Sequence, residues 1–179
     1  RGRPYWDEDL VLPVVPRLFP TEHLRVSGQL LSRRNPSLFE EDRVFVSRAR
    51  SESSPRPLWT GPFLVPVEGR VSAGFGDIRY INGLESGRHS GIDLAAPAGT
   101  PVAAANSGVV RLARRLNVTG TTVILDHGLN LFSAYNHLDE IAVREGETVA
   151  KGQTIGAVGS TGFSTGPHLH WTVTVGQVF

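Results

Sequence analysis

The 179-residue chain contains no cysteine. This absence excludes disulfide frameworks, thiolate metal sites and cysteine nucleophiles. Histidine and carboxylate side chains are therefore the only strong metal ligands that the sequence offers. The six histidines are the first residues to place in any candidate site.

The chain also lacks an excess of charge of one sign and lacks long apolar runs. Its formal net charge is +1, and its arginines are spread along the sequence, a pattern that argues against nucleic acid as a partner. No run reaches the roughly 18 apolar residues of a membrane span. No export leader opens the chain, but it starts at Arg1 and ends in an apolar run, so we expect it to be part of a longer protein.

Lysine is the scarcest charged residue, because Lys151 is the only one. The segment GTPVAAANSGVV at 99–110 resembles GETVAKGQTIGAVG at 146–159, and such paired hairpins also occur in biotinyl and lipoyl carrier domains. A carrier needs a modifiable lysine at an exposed hairpin tip. Lys151 instead follows the first strand of its repeat, so the sequence favours other functions.

The composition changes twice along the chain. Residues 1–34 hold short apolar runs and are predicted to be the end of an N-terminal β module, and residues 35–57 are predicted to be a helical linker. Residues 58–179 are rich in glycine and proline, with short alternating strands about ten residues apart, which predicts a mainly β domain. We expect a compact antiparallel β-sandwich or flattened barrel built from duplicated hairpins.

The predicted linker helix carries clear start signals. Asn35 can cap its first turn, and Pro36 suits the first helical position. Leu38, Phe45 and Ala49 are predicted to form its apolar stripe.

Two short motifs contain candidate metal ligands. In GPHLHW, His168 and His170 are two residues apart on a predicted strand, so both rings leave the same face and Leu169 enters the other. In RHSGIDLAAP, the even spacing of His89 and Asp93 puts both side chains on one side of an extended segment. Two imidazoles and one carboxylate suit a catalytic zinc ion that keeps a fourth position for water.

Three segments together resemble the LytM and lysostaphin-type zinc endopeptidases, which cut the peptides of bacterial peptidoglycan. HSGIDLAAPAGTPV resembles the first ligand segment of that family, YNHL the middle histidine segment and GSTGFSTGPHLHW the closing segment. The resemblance runs from about Gly61 to Phe179. It implies one zinc ion held by His89, Asp93 and His170, with His137 and His168 as catalytic histidines.

The resemblance also implies a substrate and a location. The partner would be the stem peptides and cross-links of peptidoglycan, and the protein would be a monomer exported to the periplasm, the cell envelope or the medium. The chain has Gly83 and Leu84 where some relatives carry a tyrosine, which favours a D-alanyl to diaminopimelate cross-link over a glycine bridge. The candidate substrate contacts are Arg79, Tyr80, Tyr135 and His127, the last being alternatively structural.

Two questions stay open at the level of the sequence. The chain is predicted to be an active endopeptidase, with a non-catalytic module that binds peptidoglycan or activates a hydrolase as the alternative. Residues 1–57 either pack against the β domain or inhibit its groove.

Overall fold

The computed structural model describes residue 13 and residues 15–178, so the first part of the predicted N-terminal β module (residues 1–34) lies outside the described residues. The described chain contains two α-helices, a 3₁₀ turn at Ser32–Arg34 and thirteen short strands. The helices are α1 (Gly28–Leu31) and α2 (Pro36–Ala49). The strands are β1 (Thr21–Leu24), β2 (Arg70–Ala73), β3 (Ile78–Ile81), β4 (Leu84–Arg88), β5 (Ile92–Ala95), β6 (Pro101–Ala103), β7 (Gly108–Arg115), β8 (Thr121–Asp126), β9 (Leu131–Leu138), β10 (Glu140–Ile141), β11 (Thr148–Val149), β12 (Thr154–Ala157) and β13 (Leu169–Val175).

A seven-stranded sheet in the order β11-β7-β8-β9-β13-β5-β2 forms the centre of the fold. All of its paired strands are antiparallel. A three-stranded sheet, β10-β12-β6, and a second one, β1-β3-β4, complete the structure. The prediction of a mainly β, antiparallel fold is confirmed, and the sheets do not close into a barrel.

The central sheet is buried on both faces. On β8, Val123 and Leu125 belong to the main apolar cluster, whereas Ile124 between them belongs to a second cluster. This follows from the two-residue period of a strand, which sends neighbouring side chains to opposite faces. The main cluster also contains Tyr135 and Leu138 of β9.

Helix α2 covers the second cluster. As predicted, the helix starts at Pro36 and the Asn35 side chain accepts a hydrogen bond from the backbone N–H of Ser37. The predicted apolar stripe is partly wrong, because Phe45 is 36% exposed and stacks under Arg114. The face that packs on the cluster is instead formed by Val46 and the buried Ala49, together with a buried carboxylate.

That carboxylate, Asp42, is 5% exposed. Its two oxygens accept hydrogen bonds from the backbone N–H groups of Asn117 (2.8 Å) and Val118 (2.7 Å). Helix α2 thereby holds the loop between β7 and β8, and this loop borders the candidate site.

The N-terminal segment makes two further attachments. Strand β1 adds to the edge of β3 as the parallel pair of its sheet. After α2, Ser53 Oγ (2.6 Å) and the Ser54 N–H (2.9 Å) bond to the buried Asp126 carboxylate at the end of β8. Within the described part of the chain, no helix is long and apolar enough to cross a membrane.

Candidate metal and catalytic site

The candidate metal ligands come together through strand pairing. Asp93 on β5 lies directly opposite His170 on the antiparallel strand β13, and directly opposed residues of paired strands project on the same face. His89 lies just before β5, after the end of β4. Two segments that are distant in sequence, one with His89 and Asp93 and the other with His170, therefore meet at one point of the central sheet.

The three side chains are within hydrogen-bonding distance of one another. Asp93 Oδ1 lies 3.0 Å from His89 Nε2 and 2.7 Å from His170 Nδ1. The two ring nitrogens are 3.0 Å apart. His89 is 4% exposed and Asp93 is 6% exposed, so the cluster is screened from bulk water.

The second nitrogen of each ring, the one not in contact with Asp93, is bonded to a group outside this cluster. His89 Nδ1 lies 2.8 Å from the Gly74 carbonyl oxygen, to which it donates. His170 Nε2 lies 2.9 Å from the Thr172 hydroxyl. Each ring therefore has one nitrogen bonded outside the cluster and turns the other toward Asp93, and such outer contacts are typical of metal-ligating histidines.

The donor set fits a zinc ion. Two imidazole nitrogens and one carboxylate oxygen are ligands that zinc prefers, and the ligand atoms of a tetrahedral site with bonds of about 2.1 Å lie about 3.4 Å apart. The distances between the atoms of His89, Asp93 and His170 are 2.7–3.0 Å, less than 1 Å below that spacing, and all three offer ligand atoms within 4.8 Å of one another.

Charge and hydrogen bonding keep the Asp93 carboxylate ionised. Burial raises its pKa, but hydrogen bonds from His170 and His89 outweigh burial and hold the pKa well below its usual value. The second oxygen, Oδ2, lies 3.3 Å from Arg79 Nη2. Arg79 in turn pairs with Glu22 at 2.6 Å, so the guanidinium holds the orientation of Asp93.

Gly91 allows β5 and β13 to approach each other at the site. A Cβ at this position would lie 2.5 Å from the Trp171 carbonyl oxygen and 2.8 Å from His170 Nε2. Real side chains do not come this close, so any larger residue at position 91 would displace a ligand.

His137 faces the same cavity from the end of β9. Its backbone φ of +63° interrupts the alternation of the strand, so Asn136 and His137 both line the cavity while Leu138 enters the core. The Thr119 carbonyl accepts the His137 N–H at 2.9 Å. The Thr161 carbonyl lies 2.8 Å from His137 Nδ1, which leaves Nε2 directed toward the cavity.

Burial, with repulsion from His168 and His170, lowers the pKa of His137 to about 3. At neutral pH this imidazole is uncharged and its free nitrogen can accept a proton. His168 lies beside it, with the ring centroids 4.9 Å apart. His168 Nδ1 is bonded to the Gly166 carbonyl at 2.8 Å, and its Nε2 is 3.8 Å from Asp93 Oδ1.

The structure therefore brings together five predicted residues, His89, Asp93, His137, His168 and His170, and places the predicted substrate contacts differently. Arg79 lines the cavity. Tyr80 stacks on His23 and bonds to Glu85.

Tyr135 and His127 are completely buried. The His127 ring bonds to the Ser107 carbonyl (2.8 Å) and to Ser133 Oγ (2.7 Å), and burial lowers its pKa. Tyr135 Oη bonds to the Ala105 N–H at 2.8 Å. These internal bonds correct the prediction that Tyr135 and His127 contact substrate, and they favour the structural alternative for His127.

Sequence reasoning missed several residues that border the cavity. Arg34 and Phe39 lie in the N-terminal segment, and Phe163 lies in the loop before His168. No local pattern marks the first two, because a 3₁₀ turn and an exposed helical position carry no periodic signal. Asn136 sits next to His137 in the YNHL motif, and that adjacency is the one signal that could have identified it.

Comparisons with known proteins agree with this geometry. The model of peptidase family M23 matches residues 87–178. The peptidoglycan DD-endopeptidase ShyA of Vibrio cholerae is 44% identical over 87 residues, which are 49% of this chain and 20% of that protein. The chain thus matches about a fifth of the length of this curated relative.

Two solved structures show the same similarity in three dimensions. A zinc-containing peptidase from Vibrio cholerae superposes with a TM-score of 0.61 and 34% identity, over 66% of this chain and 38% of that one. The catalytic domain of lysostaphin from Staphylococcus simulans gives a TM-score of 0.56 and 35% identity, over 62% of this chain and 84% of that one. The family resemblance of the sequence is confirmed, and this chain belongs to peptidase family M23.

Proposed function

We propose that this chain is a zinc-dependent endopeptidase that hydrolyses peptide cross-links of bacterial peptidoglycan, with the D-alanyl to diaminopimelate bond as its preferred target. The observation that carries the proposal is the convergence of His89, Asp93 and His170 beside two further histidines, His137 and His168. The names of the matched peptidases support both the zinc ion and the substrate class.

A zinc ion held by His89, Asp93 and His170 would supply Lewis-acid activation of water and of the scissile carbonyl. The remaining chemistry belongs to His137 and His168. Each ring has one nitrogen anchored on a backbone carbonyl, and both rings lie beside the candidate metal ligands. The other nitrogen of each ring can take a proton from the attacking water, return it to the leaving amine or, when protonated, stabilise the oxyanion.

The proposed substrate also sets the proposed location. Peptidoglycan lies outside the cytoplasmic membrane, so we place the working protein in the periplasm, the cell envelope or the medium. The monomeric state is part of the same proposal, since the five site residues come from one chain.

Release of soluble fragments from purified peptidoglycan tests this function. The samples are zinc-loaded protein, chelator-treated protein, chelated protein with zinc restored, and the His168→Ala variant, with fragments identified by mass spectrometry. We expect cleavage only by the zinc-loaded and restored samples, and the fragment masses identify the bond. His23→Ala, which removes a histidine outside the cavity, is the matched control and should retain activity.

Metal analysis supplies a second measurement. One zinc ion per chain is expected for the wild type, and His89→Ala should lose it. If zinc-loaded protein pellets with peptidoglycan but releases nothing, the chain is a binding module and not an enzyme.

A further inference from the structure

The cavity beside the metal ligands is strongly cationic. It has a volume of about 250 Å³ and is lined by His89, His137 and His170. Four arginines share this lining, namely Arg34, Arg50, Arg79 and Arg88, and no described residue of the lining is acidic. A cavity of this charge attracts an anionic group.

The arginines differ in how their charge is balanced. Arg79 forms ion pairs with Glu22 and Asp93. Among the described residues, no carboxylate lies within ion-pair distance of Arg34. The Arg34 guanidinium donates instead to the Ser86 hydroxyl.

Two aromatic rings hold Arg34 in place. Its guanidinium carbon lies 5.5 Å from the centroid of Phe39 and 5.3 Å from that of Phe163. Such stacking leaves the planar edge of a guanidinium free for hydrogen bonds. Burial and the nearby positive charge of Arg79 lower the pKa of Arg34, which agrees with a guanidinium that lacks a balancing anion.

Phe163 connects Arg34 to the catalytic centre. It lies on the loop whose Thr161 carbonyl anchors the His137 ring and which leads to His168. Arg34 and His137 line the same cavity, in which the scissile bond would be held.

We propose that Arg34 binds a free carboxylate of the substrate, located beside the scissile amide on the side of the leaving amine. This inference rests on the proposed function. In a D-alanyl to diaminopimelate cross-link, the carbon that carries the amide nitrogen also carries a carboxylate. A peptide bond between two glycines of a bridge has no carboxylate at that place, so Arg34 would select between the two kinds of cross-link.

The chemistry of arginine suits this ligand. Its planar fork donates two parallel hydrogen bonds to a carboxylate, which adds orientation to charge. A carboxylate held at Arg34 would place the adjacent amide toward His137 and the metal ligands. Arg34 would thus act in specificity, whereas His137 and His168 act on the reacting atoms.

Two synthetic peptides test the proposal. Both contain a D-alanyl to diaminopimelate bond, and they differ only in a carboxylate or a carboxamide beside the scissile nitrogen. Zinc-loaded wild type should cleave the carboxylate peptide with the higher kcat/KM. Arg34→Gln should lower kcat/KM for this peptide by about 10- to 100-fold, the usual effect of losing a charged hydrogen bond, and change the carboxamide peptide little.

Two variants separate charge from local packing. Arg34→Lys keeps the charge but loses the fork, and should retain part of the preference. Arg114→Gln removes a guanidinium that stacks 3.7 Å from the centroid of Phe45 outside the cavity, and both peptides should be unaffected. Equal cleavage of the two peptides by wild type, or an equal loss on both in Arg34→Gln, overturns the proposal.

Direct binding distinguishes this inference from the proposed function. Chelator-treated protein is titrated by calorimetry with the leaving peptide in its carboxylate and carboxamide forms. Tighter binding of the carboxylate form that disappears in Arg34→Gln supports the site even if no peptide is cleaved, whereas equal binding of both forms refutes it. If Arg34→Gln does not fold, the wild-type comparison and Arg34→Lys decide.

Discussion

Replacing Asp42 with asparagine should destabilise the protein and disturb the loop between β7 and β8, which borders the candidate site. Asp42 lies on α2, outside the segment matched by the family model, yet it holds the backbone of Asn117 and Val118. The next residue of that loop, Thr119, accepts the backbone N–H of His137. A helix that precedes the β domain therefore supports the position of His137, the proposed catalytic histidine.

The expected magnitude follows from the two buried hydrogen bonds. Asparagine keeps one acceptor oxygen, and its amide group would face the second N–H donor. Hydrogen bonds to a charged group contribute about 1.5–3 kcal/mol each, and a buried donor without a partner costs about 1–3 kcal/mol. We expect a loss of about 3 kcal/mol in the free energy of unfolding. In a chain of this size the corresponding fall in Tm is about 6–12 °C.

Chemical denaturation of zinc-loaded protein measures this effect. The matched control is Glu41→Gln, which makes the same charge change at the neighbouring exposed position. Among the described residues, Glu41 hydrogen-bonds only to the Asn117 side chain, at 3.2 Å. The control should change the stability by less than about 0.5 kcal/mol. The reasoning is refuted if Asp42→Asn is as stable as this control. Activity should fall in Asp42→Asn with one zinc ion still bound, because the metal ligands lie on other segments.

Three further predictions follow from the structure. Gly91→Ala should lower zinc affinity although no ligand is removed, because the new Cβ would push against His170. The control is Gly28→Ala, where a Cβ meets no atom within 4 Å and zinc binding should be normal. Normal zinc binding by both variants would contradict the argument. Burial raises the pKa of Asp126, but hydrogen bonds from Ser53 and two backbone N–H groups outweigh burial and lower it. The contribution of Asp126 to stability should be complete above about pH 5, and it should be lost as the pH falls below the unfolded pKa of about 3.9 toward the lowered native pKa. Asp126→Asn should therefore make the free energy of unfolding depend less on pH in this range. An unchanged pH dependence in this variant would contradict the prediction. Deleting residues 1–57 should lower both stability and peptidoglycan cleavage, because α2 covers the second cluster; higher cleavage by a folded variant would show that the segment inhibits the groove.

The sequence by itself determined the features that depend on neighbouring residues. The even spacing in GPHLHW placed the two histidine rings on a common face, since strand geometry is local. In RHSGIDLAAP, by contrast, His89 lies before β5 and meets Asp93 through the bend at Gly91. Asn35 and Pro36 marked the start of α2, because capping involves one turn of backbone. The absence of cysteine limited the strong metal ligands to histidine and carboxylate side chains, since ligand chemistry depends on residue type alone.

The tertiary structure alone decided what depends on contacts between distant segments. It buried Tyr135 and His127 in the core, because their partners lie on other strands. Asp42 faces the β domain and Phe45 does not, because the Asp42 carboxylate accepts hydrogen bonds from loop N–H groups about 75 residues away. The tertiary structure also placed Arg34 in the lining of the cavity that His89 and His170 border. Such long-range contacts carry no periodic signal in the sequence, and here they form the wall of the cavity that would select the substrate.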